Sequence, residues 1–161
     1  MKLPGLLLLS VLLTVTVVMS GCGSSVGFGL QAEFQTIAQS AAPPFSGTSA
    51  IVVILRNGEE LDTLWQQIHG GQSAPPVPRV EFQEKMVIAL LDSVRPTGGY
   101  SVDITSVQPT DQGVFVSGVQ TAPGPNCIVT QALTQPYHLV TVSWTPGIPS
   151  LTLISATRNC E

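Results

Sequence analysis

The stock of reactive side chains is small: two histidines, three cysteines and ten carboxylates. Nucleophilic hydrolysis needs a serine or cysteine held against a base in a motif that fixes their geometry. "GQSAP", Gly71 to Pro75, has the wrong last residue for a Gly-x-Ser-x-Gly elbow, and no strand pattern runs directly into it. His69 closes a helical pattern, where a cation suits the helix dipole. His138 stands in an alternating strand beside Tyr137 and, lacking a motif partner, reads as a surface or packing residue. There is no His-x-x-x-His or Cys-x-x-Cys, so neither a metal nor a cofactor is expected. Asp92 and Asp103 could face each other across a hairpin, as glycosidase acids do. Solvated strand aspartates are the simpler reading. These residues point away from an enzyme.

The cysteines carry a different chemistry. Cys22 follows "MSG" directly after the apolar run Leu6–Val18, with Lys2 in front. A membrane span needs about 20 apolar residues, and this run is shorter. A basic start, an apolar core and small residues before a cut describe an export signal. The cysteine after Ser20-Gly21 makes it similar to a bacterial lipoprotein signal, in which the thiol is acylated. Met19 stands where that pattern more often has Leu. The alternative is ordinary secretion with cleavage near Gly21. On the first reading residues 1–21 are a signal peptide, 22–31 a flexible glycine-rich tether on lipidated Cys22, and 32–161 the domain. Palmitate on the cysteine and a membrane-anchored place in the cell envelope, facing the periplasm or the exterior, go with it. Cys127 and Cys160 remain, an even pair in an oxidising compartment. They are expected to form a disulfide; two free buried thiols are the alternative.

Loss of Lys2 with the signal takes the formal charge from −4 to −5. The remaining basic residues are isolated, with no basic stripe, so a nucleic-acid partner is not expected. The hydrophobic fraction, 43%, is too high for a disordered chain.

The elements that position these groups follow from periodicity. "AEFQTIAQS" alternates weakly, and "AIVVIL" is a buried-strand run. Asn57 with Glu60 three residues on gives a capping box, and Leu61, Leu64, Trp65 and Ile68 form one helical face that Gly70-Gly71 ends. "EKMVIALLDSV", "GYSVDITSV", "GVFVSGVQ", "CIVTQAL", "YHLVTVSW" and "LTLISATRN" then read as strands between Pro/Gly turns. The fold class is mainly β (α+β): an antiparallel, sandwich-like β domain with one packed helix.

"RPTGGYSVDI", Arg95 to Ile104, has the glycines of a phosphate loop. Such a loop needs a helix after it, and here a period-2 strand follows. A turn accounts for it: Pro96 at i+1, Thr97 at i+2, and Gly98 in the left-handed conformation with Gly99 adding freedom. It would close a hairpin between "MVIALLDSV" and "YSVDITSV". The side chains of Arg95, Thr97 and Tyr100 are not needed for the turn and are candidate partner contacts at its tip.

"RPTGGYSVDI", with "EKMVIALLDSV" before it and "APGPNCIVTQALTQPYHLV" after it, resembles the C-terminal domain of the protease complex subunit PrcB family. "RNGEELDTLWQQI" and "VPRVEFQEKMVIAL" extend the resemblance over Phe34–Trp144. The family defines no catalytic residues, so none is carried over. The resemblance implies a non-enzymatic envelope lipoprotein that binds a partner protein, a secreted subtilisin-like protease, and supports its complex. Over a few residues "PTGGY" is also similar to the inserting loop of chagasin-type inhibitors. The second reading is therefore a protease inhibitor acting through Arg95–Tyr100, and the third an envelope hydrolase.

Overall fold

A computed structural model describes residues 31–70 and 74–160. The signal, Cys22 and the tether up to residue 30 lie outside the described residues, as does Gly71. Seven strands and one helix follow in order: β1 (Phe34–Ala42), β2 (Ile51–Leu55), α1 (Gly58–His69), β3 (Lys85–Leu91), β4 (Ser101–Thr110), β5 (Gly113–Pro123), β6 (Gln135–Ser143) and β7 (Ile148–Arg158). They make a four-stranded sheet, β1-β6-β3-β2, and a three-stranded sheet, β4-β5-β7.

The apolar pattern explains the layering. β3 is apolar at every position after Lys85, and all six of those residues are buried. Such a strand needs cover on both faces. Val87, Ala89 and Leu91 face α1, whose Leu61, Leu64, Trp65 and Ile68 complete that core. Met86, Ile88 and Leu90 face the second sheet and meet Val102, Ile104, Val107, Val114 and Val116. The result is three layers: helix, four-stranded sheet, three-stranded sheet. Each fully buried aliphatic side chain stabilises the fold by about 1.5–3 kcal/mol relative to leaving it exposed.

The helix forms as its sequence predicts. Asn57 Oδ1 accepts from the Glu60 N–H at 2.9 Å, and the Glu60 carboxylate returns to accept from the Arg56 N–H at 2.6 Å. Gly70 caps the C-terminus at φ 60°, a conformation that a β-carbon disfavours.

Three expectations are corrected. β3 and β4 are not a hairpin: they belong to different sheets, and residues 92–100 cross between them. A strand apolar on both faces takes buried neighbours on both sides, here β2 and β6, whereas the alternating β4 suits the outer sheet. "CIVTQAL" is not a strand but a loop joined to the crossing. β5 and β7 pair in parallel, Gly113 with Ile148 through Pro123 with Arg158, because the chain visits the other sheet as β6 before returning.

Side chains and main chain close the seam between the sheets. β4 is an edge strand, so alternate N–H groups face away from β5. The N–H of Ile104 donates to His138 Nδ1 at 2.8 Å, and Gln39 Nε2 donates to the Val102 carbonyl at 3.0 Å.

Candidate functional site

The crossing from Asp92 to Tyr100 is organised around a buried charge. Asp92 follows the last residue of β3 and its side chain has 0% exposure. Its carboxylate accepts from Arg95 Nε and Nη2, both at 2.8 Å, from the Ser93 N–H at 2.7 Å and from Gln120 Nε2 at 2.6 Å. A buried carboxylate is tolerated when a cation and hydrogen bonds satisfy it. Arg95 also lies over the Tyr100 ring, 5.1 Å from its centroid. Its main chain exchanges hydrogen bonds with Thr134 at 2.7 and 3.0 Å.

The expected partner contacts are therefore engaged internally. Arg95 is not free of the turn, since its guanidinium neutralises Asp92. Thr97 donates through Oγ1 to the Gly98 carbonyl, and its own carbonyl accepts from Thr134 Oγ1. Tyr100 is half-buried under Arg95. Pro96 alone among residues 92–100 is exposed. The left-handed residue is Gly99, φ 85°, and not Gly98. Gly98 is tight for a different reason: a β-carbon there would meet Thr130 Oγ1, so that side chain would have to turn away. Asp103 bonds to Gln39 and does not pair with Asp92, because β3 and β4 are not hairpin partners.

The loop at 124–134 packs beside the crossing. Cys127 and Cys160 are joined in a disulfide, as the sequence predicts, which fastens this loop to the end of β7. The Gly98 N–H donates to the Thr130 carbonyl at 2.9 Å. Gln135, at the start of β6, is fully buried with every capacity used. Its Oε1 accepts from the N–H groups of Phe45 and Ser46, and its Nε2 donates to Ser46 Oγ and the Asp92 carbonyl. Pro136 offers its carbonyl to the Asp92 N–H, and Tyr137 enters the helix-side core. "RPTGG" and "QPY" thus meet at one junction. The junction roles of Asp92, Gln120 and Gln135 lie outside the sequence reading. Asp92 beside Arg95 and a Gln between strand patterns are their only signals.

The histidines are packing residues. His138 is buried, and since Nδ1 accepts from Ile104, its proton sits on Nε2 and donates to Thr36 Oγ1 at 2.8 Å. Burial lowers the His138 pKa, partly opposed by the charge of Asp103. His69 stacks on Trp65 at 4.3 Å and meets Tyr137 edge-on at 6.1 Å. Burial raises the Tyr137 pKa. Among the described residues, no group of three or more His, Cys, Asp and Glu side chains is placed to hold a metal, and no helix is long and apolar enough to cross a membrane.

A groove of about 550 Å³ lies between β2 and α1, with Ile51, Val53, Leu55, Leu64 and Leu91 as its apolar wall and Glu59 and Glu60 among its polar lining. No sequence-predicted contact lines it.

No curated protein and no solved structure matches the chain. Residues 86–143 match the family model described as PrcB C-terminal. That segment runs from β3 through the crossing, β4, β5 and the 124–134 loop to the end of β6, and it contains the Asp92–Arg95–Gln135 junction. Over this segment the chain is similar to the PrcB C-terminal domain, the family that its sequence resembles.

Proposed function

We propose that the chain is a non-enzymatic subunit that binds a protease at the cell envelope and supports its complex. The observation that carries this is the PrcB C-terminal match, whose family is that of a protease complex subunit. The polar groups of the matched segment support a scaffold role. Asp92, Arg95, Gln120, Gln135 and His138 are all bonded to one another or to main chain. A site that turns over substrate needs groups aimed at a reacting atom. Lipidation of Cys22, from the sequence alone, would hold the domain at a membrane. The subtilisin-like class of the partner comes from the family resemblance.

An inhibitor working through Arg95–Tyr100 is the weaker reading, because a wedge must present its side chains and Arg95 is bound to Asp92. Mixing the full chain with a subtilisin-like protease separates the two. A supporting subunit leaves peptide turnover intact and lengthens the protease's active lifetime. An inhibitor lowers turnover in proportion to its occupancy. Turnover of substrate by the chain alone would contradict both.

A further inference from the structure

Four strands form the edges of the two sheets: β1 and β2 on one, β4 and β7 on the other. An open edge invites another strand, and proteins blunt it with shortness, bulges, charges or cover. β2 is five residues long. β1 has a register shift between Thr36 and Ala38, and β4 has one between Ile104 and Ser106. β4 is covered as well: His138 accepts from its Ile104 N–H, and Gln39 and the Ala32 N–H donate to its Val102 and Val107 carbonyls.

β7 is different. It runs for 11 residues, Ile148–Arg158, and pairs with β5 in unbroken register. Pro149 near its start and Arg158 at its end are its blunting residues, and no Asp, Glu, Lys or Arg lies between them. Alternate residues of an edge strand point their peptide groups away from the neighbouring strand. Among the described residues, no hydrogen bond from outside the β5 ladder reaches the main chain of residues 148–157. A row of donors and acceptors is therefore open along this edge.

The side chains of this edge complement themselves. Ile148, Ser150, Thr152 and Ile154 share the outer face of β7, with Ile148 exposed by 77% and Ile154 by 64%. Leu151 and Leu153 point the other way, against the core between the sheets. Two copies of β7 laid antiparallel about a two-fold axis at Leu151 set Ile148 opposite the copy's Ile154, and Ser150 opposite the copy's Thr152. Each pair occurs twice, so both isoleucines of both copies are covered by one another. Opposite residues lie an even number apart, so the outward peptide groups of one copy meet those of the other. Residues 148–154 carry no charge, which lets copies of a chain of formal charge −4 approach here without repulsion across the contact. A two-fold interface requires this kind of self-complementarity.

We infer that the open edge of β7 is the docking surface for a second copy of this chain, paired antiparallel through residues 148–154 with Ile148 against Ile154. The two three-stranded sheets then join into one sheet of six strands, with β7 beside β7 at its centre. This contact is independent of the protease-binding reading.

Sedimentation equilibrium of the full chain over a concentration series, in a neutral detergent that shields its apolar leader, tests the contact. Wild type should pass from monomer to dimer and stop there, because pairing uses up the β7 edge of both copies. Ile154→Lys acts twice in the symmetric pair and should raise the dimer dissociation constant at least tenfold, with the melting temperature of the monomer unchanged. Ile128→Lys, at an exposed aliphatic residue of the 124–134 loop, should dimerise as wild type. An equimolar mixture of Ser150→Cys and Thr152→Cys chains should cross-link on mild oxidation far more than either variant alone. Opposite residues of an antiparallel pair stand about 4.5–5.5 Å apart, within the reach of a disulfide. A chain that stays monomeric, or a dimer that Ile154→Lys leaves intact, overturns the inference. Equal weakening by Ile128→Lys means non-specific apolar adhesion and also overturns it. Assembly beyond two copies, or cross-linking of either variant alone as readily as of the mixture, contradicts the closed pair in this register. A monomeric chain whose capture of a protease is abolished by Ile154→Lys would assign the edge to that protein instead and overturn it as well.

Discussion

Arg95→Ala asks whether the crossing is a tip for contacts or a structural joint. The substitution leaves the Asp92 carboxylate with 0% exposure and without its cation. The two hydrogen bonds from Arg95, each 2.8 Å, go with it. Gln120 and the Ser93 N–H remain, but neither carries charge. Breaking a buried pair from one side costs about 3–5 kcal/mol. The lower end applies here, because Arg95 is 20% exposed and water reaches its side of the pair. For a domain of this size 1 kcal/mol moves the melting temperature by about 3–5 °C, so the expected loss is roughly 10 °C. Thermal and urea unfolding followed by circular dichroism at pH 7 measures it. Arg95→Lys keeps the charge without the two-pronged contact and should recover only part of the loss. Asp92→Asn removes the buried charge, so the double variant should be less destabilised than the two single losses added together. A melting temperature for Arg95→Ala within about 2 °C of wild type, less than 1 kcal/mol, would refute the reasoning. Arg95 would then be an ornament of the loop.

Three further outcomes follow from named contacts. Gly99→Val should destabilise by at least about 1–3 kcal/mol, because φ is 85° and the new β-carbon would stand 2.7 Å from Val129 Cγ1; wild-type urea unfolding would contradict the left-handed turn. The His138 pKa is lowered, chiefly by burial, so the unfolded chain takes up the proton more readily. Stability from this group is therefore present above about pH 6.5 and is lost as pH falls from there towards the folded pKa. An NMR titration placing His138 at or above about 6.5 would contradict this. Cys160→Ser should cost roughly 3–4 kcal/mol in the chain-entropy model and loosen the 124–134 loop, which limited proteolysis around Ile128 would report.

The helix was legible in full, because its signals are local. Asn57, Glu60, the Leu61–Ile68 face and Gly70 lie within one short segment. Most strands were legible for the same reason. Pairing was not. "MVIALL" and "YSVDIT" are neighbours in sequence with a turn between them, and nothing local says that the first needs cover on both faces from other elements. "CIVTQAL" has strand composition, yet no neighbouring edge accepts it, and the disulfide and the crossing hold it as a loop. Arg95 shows the limit most clearly. Its spacing from Asp92 was visible, but the burial of Asp92 depends on Gln120 and Gln135 arriving from two other strands.

Hydrogen exchange of the full chain, alone and with saturating catalytically silent subtilisin-class protease, tests the central claim most directly. The account predicts slowed exchange in part of residues 86–143, the segment that matches the family model. It predicts little change at Arg95, Gly98 and Asp92, whose N–H groups are already bonded to Thr134, Thr130 and Pro136. Unchanged exchange throughout the chain would contradict protease binding itself.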